Sequence, residues 1–235
     1  MSTVKRTYVQ RGRAAAAAET KAAILAAARG LIPKAESRVG VDEIALRAGV
    51  AVQTVYDHFG SKGGLLMAVV DDAQRSAGLY DAFDQVFRSP DGETALQRMI
   101  HATLAVWHGA WPYIEFMLRS RRIDPVVRQE VAVLDKSRHT HLWAISRRLQ
   151  DEGRIRGRHS ASWAADQAFA MTTPGVYEEL VVRRGWTLTA ATSSIVRAVS
   201  AAVIKPGTTA VRSPAPDWQA LQMPARGGAR RASGT

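Results

Sequence analysis

The sequence predicts an all-α protein: a small three-helix head at the N-terminus, then a larger helical domain. Three observations carry this reading. Apolar residues recur at spacings of three and four over most of the chain, with no sustained strand alternation or hairpin signal. The segment Val39–Leu66, VGVDEIALRAGVAVQTVYDHFGSKGGLL, sets two short helical patterns on either side of Gly49, the layout of a helix-turn-helix. Hydrophobic residues make up 46% of the 235, enough to build a packed core and to exclude global disorder.

Residues 1–13 carry Lys5, Arg6, Arg11 and Arg13 and no acid, and read as a flexible basic arm. The head spans 14–61. Its first helix runs from Ala14 to Ile32, built on strong helix-forming alanines, with Ile24, Ala28 and Leu31 as the apolar stripe. Pro33 disfavours helical geometry at Ile32 and ends the run. The second helix begins near Asp42 and presents Ile44, Ala45 and Ala48 on one tight face. Gly49 suits a left-handed turn, and Val50 plugs the core. The third helix covers Ala51 to Phe59. Val55 and Phe59, four apart, face inward and leave Val52, Gln53, Thr54, Tyr56 and His58 outward.

After the Gly60–Ser61 break, a larger domain is expected over 62–204. A fourth helix from Lys62 to Tyr80 uses Leu65, Leu66, Val69 and Val70 as core positions. Further helical segments lie near 93–109, 111–121, 125–152, 162–183 and 187–204, with Pro90, Pro112, Pro125 and Pro174 at starts or kinks. From Lys205 to Thr235 the chain is rich in proline and ends GGARRASGT, which reads as a disordered tail.

The charge balance is strongly basic, 32 Lys plus Arg against 21 Asp plus Glu, or +11. This favours a polyanionic partner and says nothing about fold. There is no cysteine, so disulfide and thiolate chemistry are excluded. No eighteen-residue apolar run and no secretory pattern occur, so a cytoplasmic protein with no membrane partner is expected. Phosphate-loop and dinucleotide glycine signatures are missing, the six histidines are scattered, and no Ser–His–acid spacing stands out. No cofactor, metal or catalytic residue is therefore assigned.

The third helix has what major-groove reading requires: an apolar back and exposed polar side chains near its N-terminus. Gln53 suits an adenine edge, Thr54 a base or phosphate, and Val52 a thymine methyl. Tyr56, His58 and Lys62 are placed for phosphates, which position the duplex without specifying sequence. The alternative for each is ordinary packing or capping.

Ile44, Ala45, Ala48, Gly49, Val50, Thr54, Val55, Tyr56, Phe59, Lys62 and Leu65, in this order and spacing, resemble the TetR family of transcriptional regulators. LQDEGRIRG at 149–157 and the stretch 174–199 with its Gly185–Trp186 turn extend the resemblance more weakly, to roughly 15–204. The resemblance implies a three-helix DNA-binding domain, a linking fourth helix and a larger helical domain. It also implies a homodimer on a palindromic double-stranded operator, usually repressing, with Lys62 on phosphate and the outward third-helix residues facing DNA. Ala51 departs from the usual Ser or Thr and forgoes a cap worth about 1 kcal/mol. Gly63 and Gly64 weaken the start of the fourth helix by roughly 1 kcal/mol each.

The larger domain is expected to dimerise, sense a small molecule, or both. Trp107, Trp111, Glu115, Phe116 and Trp143 are the candidate lining of a pocket for an apolar or aromatic effector; the alternative is an ordinary core. Glu115, inside the nearly apolar WPYIEFML, would meet a cationic or hydrogen-bonding group. Tyr177, Leu180, Val181, Leu188, Ile195, Val199 and Val203 are the candidate dimer interface; the alternative is packing within one subunit. Rivals to a ligand-released repressor are an activator or ligand-insensitive regulator, and a helical ligand-binding protein or enzyme that has lost DNA recognition.

Overall fold

The computed structural model describes residues 3–35, 39–76 and 79–206. The regular elements among them are helices, joined at one point by an isolated antiparallel bridge between Ile155 and Ile204. The tail expected beyond Lys205 lies outside the described residues from position 207 on. No described helix is long and apolar enough to cross a membrane.

The head comprises α1 (Thr3–Leu31), α2 (Val41–Ala48) and α3 (Val52–Phe59). The arm expected at 1–13 is not separate from the first helix, because α1 already starts at Thr3. Nothing in that stretch breaks a helix more strongly than Gly12. Pro33 acts as expected: α1 stops at Leu31, and Ile32–Lys34 tighten into a 3₁₀ turn with the proline at its start.

Behind the head, α4 runs over Lys62–Ser76 and a separate α5 over Leu79–Phe87, where a single helix had been expected to Tyr80. The two segments expected at 93–109 and 111–121 are one helix, α6 (Gly92–Ser120), which continues through Pro112. Next come α7 (Pro125–Asp151), α8 (Ala161–Met171), the short α9 (Pro174–Tyr177) and α10 (Leu188–Val203). A wide π-helical stretch, Glu178–Arg183, follows α9. Side-chain caps mark the starts: Asp91, Asp124, Ser160, Thr173 and Thr187 each accept a backbone N–H of the helix that follows.

Two cores hold the fold. The first crosses from head to domain: Ile24, Ile32, Val55 and Leu65 share it with Val106, Trp111, Phe116 and Tyr177. The second packs α5, α6, α7, α8 and α10 around Leu96, Ile100, Leu104, Leu142 and Ala164. Phe83, Trp107, Val181 and Leu188 touch both.

This packing takes up part of the expected dimer face within the single chain. Tyr177, Ile195, Val199 and Val203 are 0–5% exposed within the single chain. The apolar stripe of α10 is spent on α6 and α8, and Tyr177 is buried against Trp111. Leu180, Val181 and Leu188 remain half-buried.

Candidate nucleic-acid interface and the cavity behind it

The α2–α3 turn is built by its backbone. Gly49 takes φ +70° and ψ 31° at the end of α2. The Val50 N–H donates to the Ala45 carbonyl at 3.0 Å and the Gly49 N–H to Leu46 at 3.2 Å, so both last carbonyls are satisfied. Ala51 opens α3 without a side-chain cap, as its methyl group requires. Val55 is 1% exposed and anchors the helix, while Phe59 is half-buried under Lys21, whose Nζ lies 5.8 Å from the ring centroid.

The opposite face of α3 is open. Val52 and Tyr56 are each 40% exposed, Gln53 is exposed, and Thr54 and His58 are half-buried. The Gln53 amide donates to Asp57 Oδ1 at 2.8 Å. Asp57 was missed from sequence, although its position one turn after Gln53 was a readable signal. Leu46 was missed too: it falls out of phase with Ile44, Ala45 and Ala48 and stands 83% exposed beside the turn.

Lys62 is not unengaged. Its Nζ lies 3.1 Å from Asp124 Oδ2, with the two side chains 25% and 22% exposed. Asp124 also caps α7, accepting the N–H groups of Val126 at 3.0 Å and Val127 at 3.3 Å. Burial alone would raise the Asp124 carboxyl, but the Lys62 ammonium and the two α7 amides outweigh it and hold the group below its usual range.

Behind this join, α6, α7, α8 and the α9 turn enclose a cavity of about 640 Å³, within the usual range for small-molecule sites. Trp107 and Glu115 line it, with Ile114, Leu134, Arg138 and Phe169. Trp107 is fixed by donation from Nε1 to the Thr172 carbonyl at 2.9 Å. A smaller cavity of about 240 Å³ shares Trp107, Ile114, Leu134 and Arg138, and adds Val70 and Gln74 from α4 and Phe83 from α5.

The other candidate lining residues lie elsewhere. Trp111 is 4% exposed with its ring 5.0 Å from that of Tyr177, and Phe116 is fully buried. Trp143 is 45% exposed and faces outward beside Arg147, 5.9 Å away. Glu115 sits at a wet rim, 4.0 Å from Arg119 and 45% exposed, rather than in an apolar wall. Arg138 was missed. Its side chain is 10% exposed, its guanidinium stacks 3.7 Å from the Phe169 centroid, and burial lowers its pKa against the pull of Asp135. Among the described residues no group of His, Asp and Glu is arranged to hold a metal.

Residues 24–69 match the family described as bacterial regulatory proteins, tetR family. No curated protein matches the sequence. Among solved structures, the regulator FadR of Bacillus subtilis with stearoyl-CoA is 19% identical, covering 77% of this chain and 97% of its own, with TM-score 0.61. NalD of Pseudomonas aeruginosa, the secondary repressor of the MexAB-OprM multidrug efflux pump, is 15% identical over 81% and 98%, with TM-score 0.63. The SmeT–triclosan complex is 23% identical over 84% and 99%, with TM-score 0.64. At these identities the likeness is one of fold. Residues 24–69 thus match the helix-turn-helix of the tetR family, and the fold of the chain is that of these solved structures.

Proposed function

We propose that this protein is a homodimeric transcriptional repressor that reads a palindromic operator through α3 and is released by a small molecule bound between α6, α7 and α8. One observation supports this above others: α4 joins the two sites. Its first residue, Lys62, adjoins the reading head, and its Val70 and Gln74 line the smaller cavity. A ligand that moves α4 therefore moves α3, provided it binds the two arrangements unequally. A coupling of about 1–3 kcal/mol is typical of such links. The solved complexes with stearoyl-CoA and triclosan support the same use of the larger domain.

Gln53 is the reading residue of choice. Asp57 holds its amide, which leaves the Gln53 carbonyl outward to accept from a base edge. Tyr56 and His58 flank it for phosphates, and Lys62 joins them once it leaves Asp124. For the dimer, the outer face of α10 carries exposed Ala190, Ala198 and Ala201, small enough for close approach of a second copy, and Trp186 is 41% exposed nearby. Two-fold symmetry would set the reading helices about 34 Å apart on the operator.

The test is anisotropy titration of the full chain on labelled duplexes from upstream of its own gene against random duplex at fixed salt. Tight, salt-sensitive, two-site-symmetric binding is expected, and Gln53→Ala should cost about 1–3 kcal/mol of discrimination. Equal binding to both duplexes would sink the proposal. Reporter expression with and without the gene separates repression from activation.

A further inference from the structure

Arg138 lies in the wall shared by the two cavities, and only part of its hydrogen-bonding capacity is used. Nη1 donates to the Phe169 carbonyl at 3.2 Å, the Thr172 carbonyl at 3.3 Å and Thr172 Oγ1 at 3.0 Å. That edge is fixed, and the stack on Phe169 fixes the plane. The other edge is nearly idle. Nη2 reaches only Asp135 Oδ1 at a long 3.4 Å, and Nε is buried with no acceptor among the described residues. Nε and Nη2 together are the fork that takes an oxyanion through two parallel hydrogen bonds. A buried donor without a partner is costly, and a ligand that satisfies it recovers that cost.

The surrounding charges favour an anion as well. Three carboxylates line the larger cavity. Glu115 lies 4.0 Å from Arg119, Glu178 accepts from the external Arg183 at 2.8 Å, and Asp135 faces Arg138. Arg121 and Arg122 line the same cavity with no ion pair among the described residues, so the balance is positive. Asp135 is 42% exposed and loosely held, free to turn outward and clear the fork. The walls around it are apolar: Trp107, Ile114 and Leu134, then Val70, Phe83 and Val106 in the smaller cavity.

We propose that the two cavities form one site for an amphipathic organic anion, its carboxylate or sulfonate held by the Nε–Nη2 edge of Arg138 and its flat apolar body lying against Trp107, Ile114 and Phe83. This rests on the effector-cavity reading above and names the chemical class that the cavity takes. It replaces the cationic group expected at Glu115, whose carboxylate already faces Arg119.

A pair of fluorescent probes of nearly the same body tests it on the full-length protein: 1-anilinonaphthalene-8-sulfonate, an anion, and N-phenyl-1-naphthylamine, its uncharged counterpart. Wild type should bind the sulfonate about tenfold more tightly than the amine. Arg138→Gln should erase that preference while leaving the amine within about twofold, which also shows that the variant is folded. Asp135→Asn should strengthen sulfonate binding about threefold, a gain that misfolding cannot imitate. 2-Naphthylacetate should displace the sulfonate, and naphthylmethyl-trimethylammonium should not. Equal affinity for the two probes, equal loss of both in Arg138→Gln, or displacement by the cation alone overturns the anion assignment and leaves the cavity standing. Failure of both probes to bind overturns the cavity reading and the proposal with it.

Discussion

Gly64 has no room for a side chain. A Cβ there would lie 2.1 Å from the carbonyl oxygen of Phe59, a backbone atom that cannot turn aside. Gly63 is tight in another direction, its Cβ position 2.6 Å from Glu130 Cγ and 2.9 Å from Val126 Cγ1 on α7. The pair that helix propensity marks as a weak start to α4 is where that helix presses on α3 and α7 at once. Propensity alone says Gly64→Ala gains about 1 kcal/mol. The contact with Phe59 says the reverse, and overpacking of this kind costs about 1–3 kcal/mol. Urea unfolding of Gly64→Ala should therefore show a lower midpoint than wild type; a higher one would mean that the close approach does not exist in solution. Gly63→Ala should cost less, because Glu130 and Val126 are side chains that can move.

At the scale of elements, the join between head and domain turns on Lys62 and Asp124. The pair is about three-quarters buried, so its net strength is set near the top of the range for exposed pairs, about 1 kcal/mol. It competes with any phosphate for the same ammonium. Asp124→Asn keeps an acceptor for the α7 amides but removes the charge that holds Lys62. DNA affinity should rise by up to about fivefold, the equivalent of about 1 kcal/mol. The slope of log affinity against log salt should steepen by about one phosphate contact. Unchanged affinity and slope would show that Lys62 never reaches DNA. Such elements differ in how plainly the sequence announces them. The α2–Gly49–α3 turn is legible because every signal lies within a few residues: a tight apolar face, a glycine, and an anchored Val55. The continuity of α6 is not. Pro112 carries a local cost of about 3 kcal/mol. Burial of Trp111, Ile114, Phe116 and Met117 around it exceeds that, at about 1.5–3 kcal/mol for each large side chain. The cavity was legible in part for the same reason. Periodicity separates apolar from polar faces, but cannot show that Arg138 turns inward or that Trp143 turns out.

For the whole molecule, the shared core matters most. Because Val55 and Leu65 belong to the same apolar cluster as Val106 and Phe116, disturbance in α6 is felt in the head without passing through a flexible linker. Heating should therefore unfold the described parts in one cooperative transition, visible alike in helix content and in tryptophan environment. Acid should weaken that transition in two stages. Burial holds the His101 imidazole, on α6, below the usual histidine value of 6.5. Between its folded value and 6.5 the unfolded chain binds the proton more readily, so stability is full above 6.5 and drains as the pH falls from there to the folded value. Asp124 is a carboxylate held below its usual 3.8, so its share is present above that value and is lost only as the pH falls further. Melting temperatures measured from pH 7.5 to 3 should accordingly begin to drop near 6.5 in the wild type. His101→Gln should drop less in that first window and match wild type in the carboxylate window. Identical curves for the two proteins would mean that His101 is as accessible to protons in the folded state as in the unfolded one.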